Sequence, residues 1–178
     1  PGEITDPAEL STYYLATAEF PSGFMTHYGP SAITADAPAQ ELASGFPVGK
    51  RFKSVEVVRV CDGNPVHLGH HATADGRWRV YAFADAEGSA LREWAAAARE
   101  IVERFTPEGA DLDAVFDVKA VYPGRWEDVV DVPELFRPRS GPLGLTDGEK
   151  VFAAAPSAWT SADIFAERGI GAEGAVVV

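Results

Sequence analysis

The spacing of apolar residues predicts a strand, a helix and a second strand in the middle of the chain. A β-branched run at residues 55–60 predicts one strand, and a nearly continuous apolar run at residues 78–84 predicts another that is buried on both faces. From residue 89 to residue 105 the apolar side chains fall at helical spacing with charged side chains opposite them, and Ser89 is expected to cap this helix. Residues 114–121 predict a further strand, which completes a βαβ unit with a right-handed crossover.

The last third of the chain predicts shorter elements. Residues 122–148 are rich in proline and glycine and predict loops, residues 151–154 a short strand, residues 161–168 a short helix, and residues 175–178 a terminal strand. Strands that alternate with helices in this way are typical of α/β layer folds. We therefore expect an α/β fold.

A separate helix and an arm are predicted at the N-terminus. Asp6 has the position of an N-cap, Pro7 that of the first helical residue, and Glu9 lies three residues after the cap. The helix should end near Phe20, because the sequence PSG follows it. Residues 21–47 show little periodicity, yet they carry more aromatic and apolar side chains than a solvated linker would. We expect this arm to dock on a surface that lies outside the chain.

Composition narrows the range of partners. The 178 residues include 15 Lys and Arg against 27 Asp and Glu, and the net charge of −12 repels phosphate backbones and anionic lipid surfaces. We expect neither nucleic acid nor membrane as a partner, and no stretch approaches the roughly 18 consecutive apolar residues of a membrane span. The single cysteine, Cys61, allows no internal disulfide and no Cys-x-x-Cys pair, so a cytoplasmic setting is expected.

Several features that suggest chemistry have simpler structural interpretations. The run GIGAEG at residues 169–174 matches G-x-G-x-x-G, but it follows a predicted helix and precedes a strand, so it predicts a helix end rather than a dinucleotide site. Cys61 follows a β-branched strand and is expected to be a small buried hydrophobe rather than a nucleophile. Asp111 and Asp113 are expected in a solvated turn.

Histidines cluster at residues 67–71, where HLGHH brings His67, His70 and His71 close together. Three neighbouring imidazoles could bind a metal ion. No second ligand cluster accompanies them, so the sequence favours a loop with solvated or hydrogen-bonded histidines. Residue chemistry alone assigns no catalytic, cofactor-binding or metal-binding residue.

A combination of short tracts resembles one protein family. The tracts are GFPVGKRF at residues 45–52, VRV at 58–60, PVHLGHH at 65–71, DGRWRVYAFA at 75–84, DVPELF at 131–136 and the last ten residues, 169–178. Together they are similar to the C-terminal part of flavin-dependent phenol hydroxylases, especially of the 3-hydroxybenzoate 4-monooxygenase type. The resemblance runs from about Phe20 to the end of the chain.

The resemblance implies a thioredoxin-like fold with a central mixed sheet and flanking helices, used for subunit contact and stability rather than redox chemistry. Where thioredoxins carry Cys-x-x-Cys this sequence has DAEGS at residues 85–89, and where they carry a proline before a later strand it has GAEG at residues 171–174. Dithiol exchange is therefore excluded. In the family the flavin and the hydroxylation belong to an N-terminal region, so the resemblance implies FAD and NAD(P)H for a parent enzyme and no cofactor in this chain.

The resemblance also implies a division of the chain and a set of partners. Residues 1–44 are expected to be the tail of the flavin and substrate domain, and residues 45–178 the thioredoxin-like domain. Because the sequence begins with Pro1 and ends in an apolar run, we expect a piece of a longer protein that stops within its last domain. The expected partners are the protein's own flavin domain and a second subunit of a homodimer.

We expect the parent to be a cytoplasmic aromatic hydroxylase that acts on phenols or hydroxybenzoates in aromatic compound degradation. Two alternatives stay open at this point. One is a free-standing, redox-inactive thioredoxin-like binding module, and the other is a peroxiredoxin-like enzyme that uses Cys61.

Overall fold

The computed structural model describes residues 6–154 and 162–178, which form a six-stranded mixed sheet, a two-stranded hairpin and three α-helices. The helices are α1 (Pro7–Thr17), α2 (Ser89–Phe105) and α3 (Ile164–Arg168). The strands are β1 (Glu56–Arg59), β2 (Asn64–His67), β3 (Trp78–Phe83), β4 (Phe116–Tyr122), β5 (Arg139–Ser140), β6 (Leu145–Thr146), β7 (Val151–Ala153) and β8 (Ala175–Val177).

The large sheet has the order β2-β1-β7-β4-β3-β8, so the parallel strands β7, β4 and β3 lie side by side. β3 and β4 pair from Trp78 and Phe116 to Phe83 and Val121, with α2 between them in the chain. β1 joins β7 antiparallel, and β8 joins β3 antiparallel. This α/β arrangement confirms the predicted parallel strand pair and agrees with the thioredoxin-like fold that the resemblance implies.

The side chains of β3 alternate between two cores on opposite faces of the sheet. Tyr81 and Phe83 belong to a core that residues 43–55 and α3 complete, whereas Val80 and Ala82 belong to a core that α2 completes. The strand is therefore buried on both faces over this stretch, as its apolar run predicts.

The start of α2 differs from the sequence prediction. Gly88, with a φ of 68°, is the N-cap, and Ser89 is the first helical residue. The backbone N–H groups of Ser89 and Leu91 donate to the Asp85 carboxylate, at 3.0 and 3.1 Å. The predicted cap at Ser89 is wrong, because an aspartate before the glycine turn supplies the acceptor instead.

Two structured parts have no counterpart in the sequence prediction. β2 contains Pro65 directly after Asn64, residues that signal a turn, and it is tolerated because β2 is an edge strand. The hairpin of β5 and β6 lies within the stretch predicted as loops.

Two helix ends differ from the predicted bounds. α1 ends at Thr17 rather than near Phe20. α3 begins at Ile164, while Ser161, where the sequence predicts its start, lies outside the described residues.

The glycine-rich run after α3 ends that helix, as predicted. Gly169 is the C-cap of α3 and has a φ of 56°, in the left-handed region that favours glycine. Its backbone N–H is thus used to close a helix rather than to open one. In the part of the chain that the structure describes, no helix is long and apolar enough to cross a membrane.

Candidate functional site

The carboxyl ends of the three parallel strands border a cleft of about 530 Å³. Ala84 follows β3, Pro123 follows β4 and Ala154 follows β7, and Phe165 and Ile170 complete the apolar part of the lining. Open α/β sheets bind ligands at this edge. The cleft therefore occupies the position where an α/β protein of this kind would carry its chemistry.

Asp85 stands beside this cleft in the place of a redox dithiol, and its carboxylate is committed to α2. Besides the two backbone N–H groups at the start of the helix, the Ser89 hydroxyl donates to it at 3.0 Å. Burial acts to raise the pKa of Asp85, but these hydrogen bonds outweigh burial and hold the pKa below its usual value. Asp85 is thus an ionised capping group rather than a general base poised near neutrality.

Gly174 closes the same region by backbone contact. A Cβ atom at this position would lie 2.4 Å from the Phe83 carbonyl oxygen and 2.9 Å from the Asp85 backbone nitrogen, and the φ of Gly174 is 76°. Only glycine allows the chain entering β8 to approach the end of β3 this closely. A thioredoxin-like frame is therefore held together here by main-chain packing.

The three clustered histidines lie in different environments. His67 is the last residue of β2, and His70 lies in a 3-10 helix that follows it, so the predicted loop is wrong for this segment. Their rings lie 5.0 Å apart and both residues are exposed, which agrees with the prediction of solvated histidines. His71 is half-buried with its ring 5.3 Å from that of Phe152, and burial together with the nearby Arg59 lowers its pKa. Among residues 6–154 and 162–178, no group of three or more His, Cys, Asp or Glu is placed to hold a metal ion.

Cys61 is exposed, so the expectation of a buried residue is wrong. The turn between β1 and β2 carries it out of the core. Partial burial and the neighbouring Asp62 raise the pKa of its thiol. Peroxide-reducing cysteines need the opposite shift, because the thiolate is the reactive form, so the environment of Cys61 disfavours the peroxiredoxin-like alternative.

A buried charge network, which the sequence analysis missed, lies near the amino ends of β3, β4 and β7, at the opposite end of these strands from the cleft. Asp117 and Lys119 of β4 and Lys150 just before β7 are only 1%, 3% and 5% exposed. The Lys150 Nζ donates to Asp117 Oδ1 at 2.6 Å, Lys119 pairs with Asp117 Oδ2, and Arg79 Nε lies 3.1 Å from the same oxygen. One carboxylate therefore contacts three cations, which marks Asp117 as the centre of the network.

A second carboxylate extends this network towards the surface. Asp113 Oδ2 lies 2.9 Å from Lys150 Nζ and 3.0 Å from Arg77 Nη1, and the Asp113 side chain is 13% exposed. The expectation that Asp113 lies in a solvated turn is therefore wrong. The sequence does hold a partial signal for this network, since charged residues 117 and 119 interrupt the strand predicted at residues 114–121 at alternate positions that share one face.

The arm before β1 is tied to the domain by polar contacts. Arg51 Nη1 donates to the Ser22 carbonyl at 2.8 Å, and the Arg51 guanidinium lies 5.2 Å from the centre of the Phe24 ring. The Tyr28 N–H donates to the Gly49 carbonyl at 2.8 Å. The arm therefore has a fixed position against residues 48–53.

Many large apolar side chains of α1 and the arm point to solvent. Those described as exposed are Leu10, Tyr13, Tyr14, Leu15, Phe20, Met25, Tyr28, Ile33 and Leu42. Isolated exposed apolar residues are ordinary, but a group of this size along one segment is typical of a surface that another structure covers.

The comparison with known families shows which family the chain belongs to. The model of the phenol hydroxylase C-terminal dimerisation domain matches residues 26–178. The chain belongs to this family. A 3-hydroxybenzoate 4-monooxygenase of Comamonas testosteroni is 43% identical over 97% of the chain, and the FAD-dependent monooxygenase terD of Aspergillus terreus is 26% identical over 81% of it.

The relatives are much longer than the chain. The matched region is 29% of the Comamonas protein and 25% of the Aspergillus terreus protein. A phenol 2-monooxygenase, fsqG, of Aspergillus fumigatus is 34% identical over 42% of the chain, which is 13% of that protein. The chain thus spans under a third of the curated relatives it matches, and the resemblance described from the sequence tracts is confirmed.

Proposed function

We propose that the chain is the C-terminal, non-catalytic part of an FAD- and NAD(P)H-dependent aromatic hydroxylase of the cytoplasm, where it provides subunit contact and stability. The observation that carries the proposal is the match to a dimerisation domain over residues 26–178, in a chain that spans under a third of relatives named as monooxygenases. The free-standing binding module is not favoured by these relatives.

The described residues do not fit a flavin dinucleotide. The one glycine-rich run of the dinucleotide type ends α3 instead of opening a helix, so its amides do not form an anion site at a helix N-terminus. The start of α2 is occupied by the Asp85 carboxylate, which would repel a pyrophosphate. We therefore assign the flavin and its chemistry to another part of the parent protein.

The exposed apolar side of α1 and the arm supports a contact with the parent's own flavin domain. Arg51 and Gly49 hold the arm from the side of the thioredoxin-like domain, which leaves Phe20, Tyr28 and Ile33 free to contact another structure. In this proposal residues 1–44 complete the flavin domain, while residues 48–53 hold the arm against the thioredoxin-like domain.

Two shortened chains test the proposed boundary between residues 44 and 45. Gln40 Nε2 donates to the carbonyls of Ala43 and Phe46 at 3.0 and 3.1 Å, and Ala43 is buried in the core. Residues 45–178 should therefore still unfold cooperatively, but with a free energy of unfolding about 2 kcal/mol below that of residues 40–178, because these contacts are lost. Urea unfolding followed by tryptophan fluorescence measures the difference, and a non-cooperative transition of residues 45–178 would contradict the boundary.

The purified chain should self-associate without carrying flavin. We expect no flavin absorbance and no NADPH oxidation in the presence of phenols, because no described group fits either cofactor. Light scattering at micromolar concentrations should report more than a monomer. Bound flavin would overturn the domain assignment, and a monomer at every concentration would overturn self-association through this chain.

A further inference from the structure

An exposed apolar patch lies on the face of the sheet that α2 covers. Trp78, Ile101 and Phe105 leave 45%, 50% and 54% of their surface exposed. The Phe105 ring lies 6.2 Å from the ring of Phe116, edge to face, and Phe116 pairs with Trp78 across β3 and β4. We call these four residues the Phe116 patch. Grouped aromatic exposure of this kind marks an interaction surface.

The Phe116 patch lies within the part of the chain that matches the dimerisation domain. That match begins at residue 26, so α1 lies outside it. The arm, whose apolar side chains are proposed to face the flavin domain, lies against residues 48–53 and the opposite core. Among residues 6–154 and 162–178, the Phe116 patch is thus the group of exposed aromatic side chains that this assignment leaves for a second copy of the chain.

The outer side of α2 next to the patch is self-complementary in shape. The middle of α2 exposes the small side chain of Ala97, and its C-terminal half exposes the larger Ile101 and Phe105. Two antiparallel copies related by a two-fold axis that passes between residues 98 and 99 would place Ile101 of each helix over Ala97 of the other. A parallel pairing would set Ile101 against Ile101 and leave Ala97 without a large partner.

The charges on the same side of α2 are self-complementary as well. Arg99 pairs with Glu103 and with Glu134, whereas Glu93 and Arg104 make no ion pair with any residue that the structure describes. Glu93 and Arg104 are about three helical turns apart, so they lie on the same side of the helix. In an antiparallel pair each Glu93 comes opposite the partner's Arg104, and the two-fold axis makes this contact twice.

We propose that α2 is the centre of the subunit contact and packs antiparallel against α2 of a second copy, with Ile101 over the partner's Ala97 and Glu93 facing the partner's Arg104. This assignment rests on the proposed function, since it takes self-association of the chain as given. A contact between single helices is at the small end of stable interfaces, so the dimer should dissociate on dilution.

Charge exchange tests the proposed register. Glu93→Arg and Arg104→Glu each set like charges opposite one another twice. Each variant should raise the dissociation constant of the dimer about tenfold, as measured by sedimentation equilibrium. The double variant carrying both changes should restore the affinity of the unchanged chain, because the pairs re-form with exchanged signs. Circular dichroism and the melting temperature check that all three variants stay folded.

An apolar variant and a matched control test the surface itself. Ile101→Glu should raise the dissociation constant of the dimer by about 30-fold or more, since it places a carboxylate in the centre of the contact. Val130→Glu makes the same change at a residue that is 87% exposed and outside the Phe116 patch, and it should leave the dissociation constant unchanged.

The outcomes distinguish the assignment of α2 as the contact surface from the proposed self-association of the chain. If the unchanged chain dimerises and Ile101→Glu behaves like Val130→Glu, or the double charge variant fails to recover, the assignment of α2 is wrong while self-association stands. If the unchanged chain is a monomer at every concentration, both are wrong. Loss of affinity in the single variants with recovery in the double variant supports the proposal.

Discussion

Replacing Asp117 with Asn is expected to lower the free energy of unfolding by about 3–5 kcal/mol, the cost of breaking a buried ion pair from one side. The substitution keeps the size of the side chain, so the loss reports charge rather than packing. Lys119 has no other carboxylate among its ion pairs in the described residues, whereas Lys150 also contacts Asp113. Lys119 would therefore be left as an uncompensated buried cation. Urea unfolding measures the change.

Replacing Lys119, the buried cation that Asp117→Asn leaves without a partner, should recover part of the lost free energy of unfolding. Lys119→Met in the Asp117→Asn background replaces a buried charge by an apolar side chain of similar length, so the double variant should be more stable than Asp117→Asn alone. Glu127→Gln, which breaks an exposed ion pair with Arg125, serves as the control and should leave the stability nearly unchanged. A small effect of Asp117→Asn, or a double variant less stable than the single one, would show that the network does not depend on this carboxylate.

The same carboxylate should contribute to acid sensitivity. Burial acts to raise the pKa of Asp117, but its contacts with Lys119 and Lys150 outweigh burial and lower the pKa below the usual value. A carboxyl whose folded-state pKa is depressed stabilises the protein fully above the unfolded-chain pKa of about 3.9. That contribution is lost as the pH falls through the lower folded-state pKa. The free energy of unfolding of Asp117→Asn should therefore fall less steeply below pH 4 than that of the unchanged chain.

The pKa values of the two lysines in the network are shifted in opposite directions. Burial lowers the pKa of Lys119, and its contact with Asp117 only partly offsets this. Burial also acts to lower the pKa of Lys150, but its contacts with Asp117 and Asp113 outweigh burial and raise the pKa. Lys119 is thus the member whose charge is least well compensated, which is why its replacement is the informative second change.

The strand and helix pattern was predictable where burial alone determines it. β3, α2 and β4 could be placed from the apolar spacing, because the two cores on either side of β3 require those side chains. The charge network could not, since Asp117 and Lys119 become compatible with burial only when Arg79 and Lys150 arrive from elsewhere in the chain. The alternate positions of residues 117 and 119 show that two charges share one face of the strand, but local spacing cannot identify the distant residues that pair with them.

The capping of α2 shows a similar limit. Ser89 has the residue type and position of an N-cap, but the turn at Gly88 rotates the chain so that Asp85 reaches the free N–H groups first. The exposure of Cys61 likewise depends on where the turn between β1 and β2 falls. The family could therefore be named by resemblance, while the contacts at the start of α2 and around Cys61 required the folded chain.

Replacing Gly174 with Ala is expected to lower the free energy of unfolding by about 2–5 kcal/mol. Part of the cost is the left-handed backbone, since a φ of 76° is unfavourable for alanine by about 1–2 kcal/mol. The rest arises because the new Cβ would lie 2.4 Å from the Phe83 carbonyl oxygen, so that β8 or the end of β3 must move. Thermal and urea unfolding measure the total.

Gly76→Ala separates these two costs. Gly76 has a φ of 78°, nearly the same as Gly174, but an added Cβ there would meet nothing within 4 Å. It should show the backbone cost alone. Because the Cβ at residue 174 would also press on the Asp85 backbone nitrogen, hydrogen exchange at the amides of Ser89 and Leu91 should quicken in Gly174→Ala and not in Gly76→Ala. Equal losses of stability in the two variants would mean that the close approach of β8 to β3 is not what holds this end of the sheet.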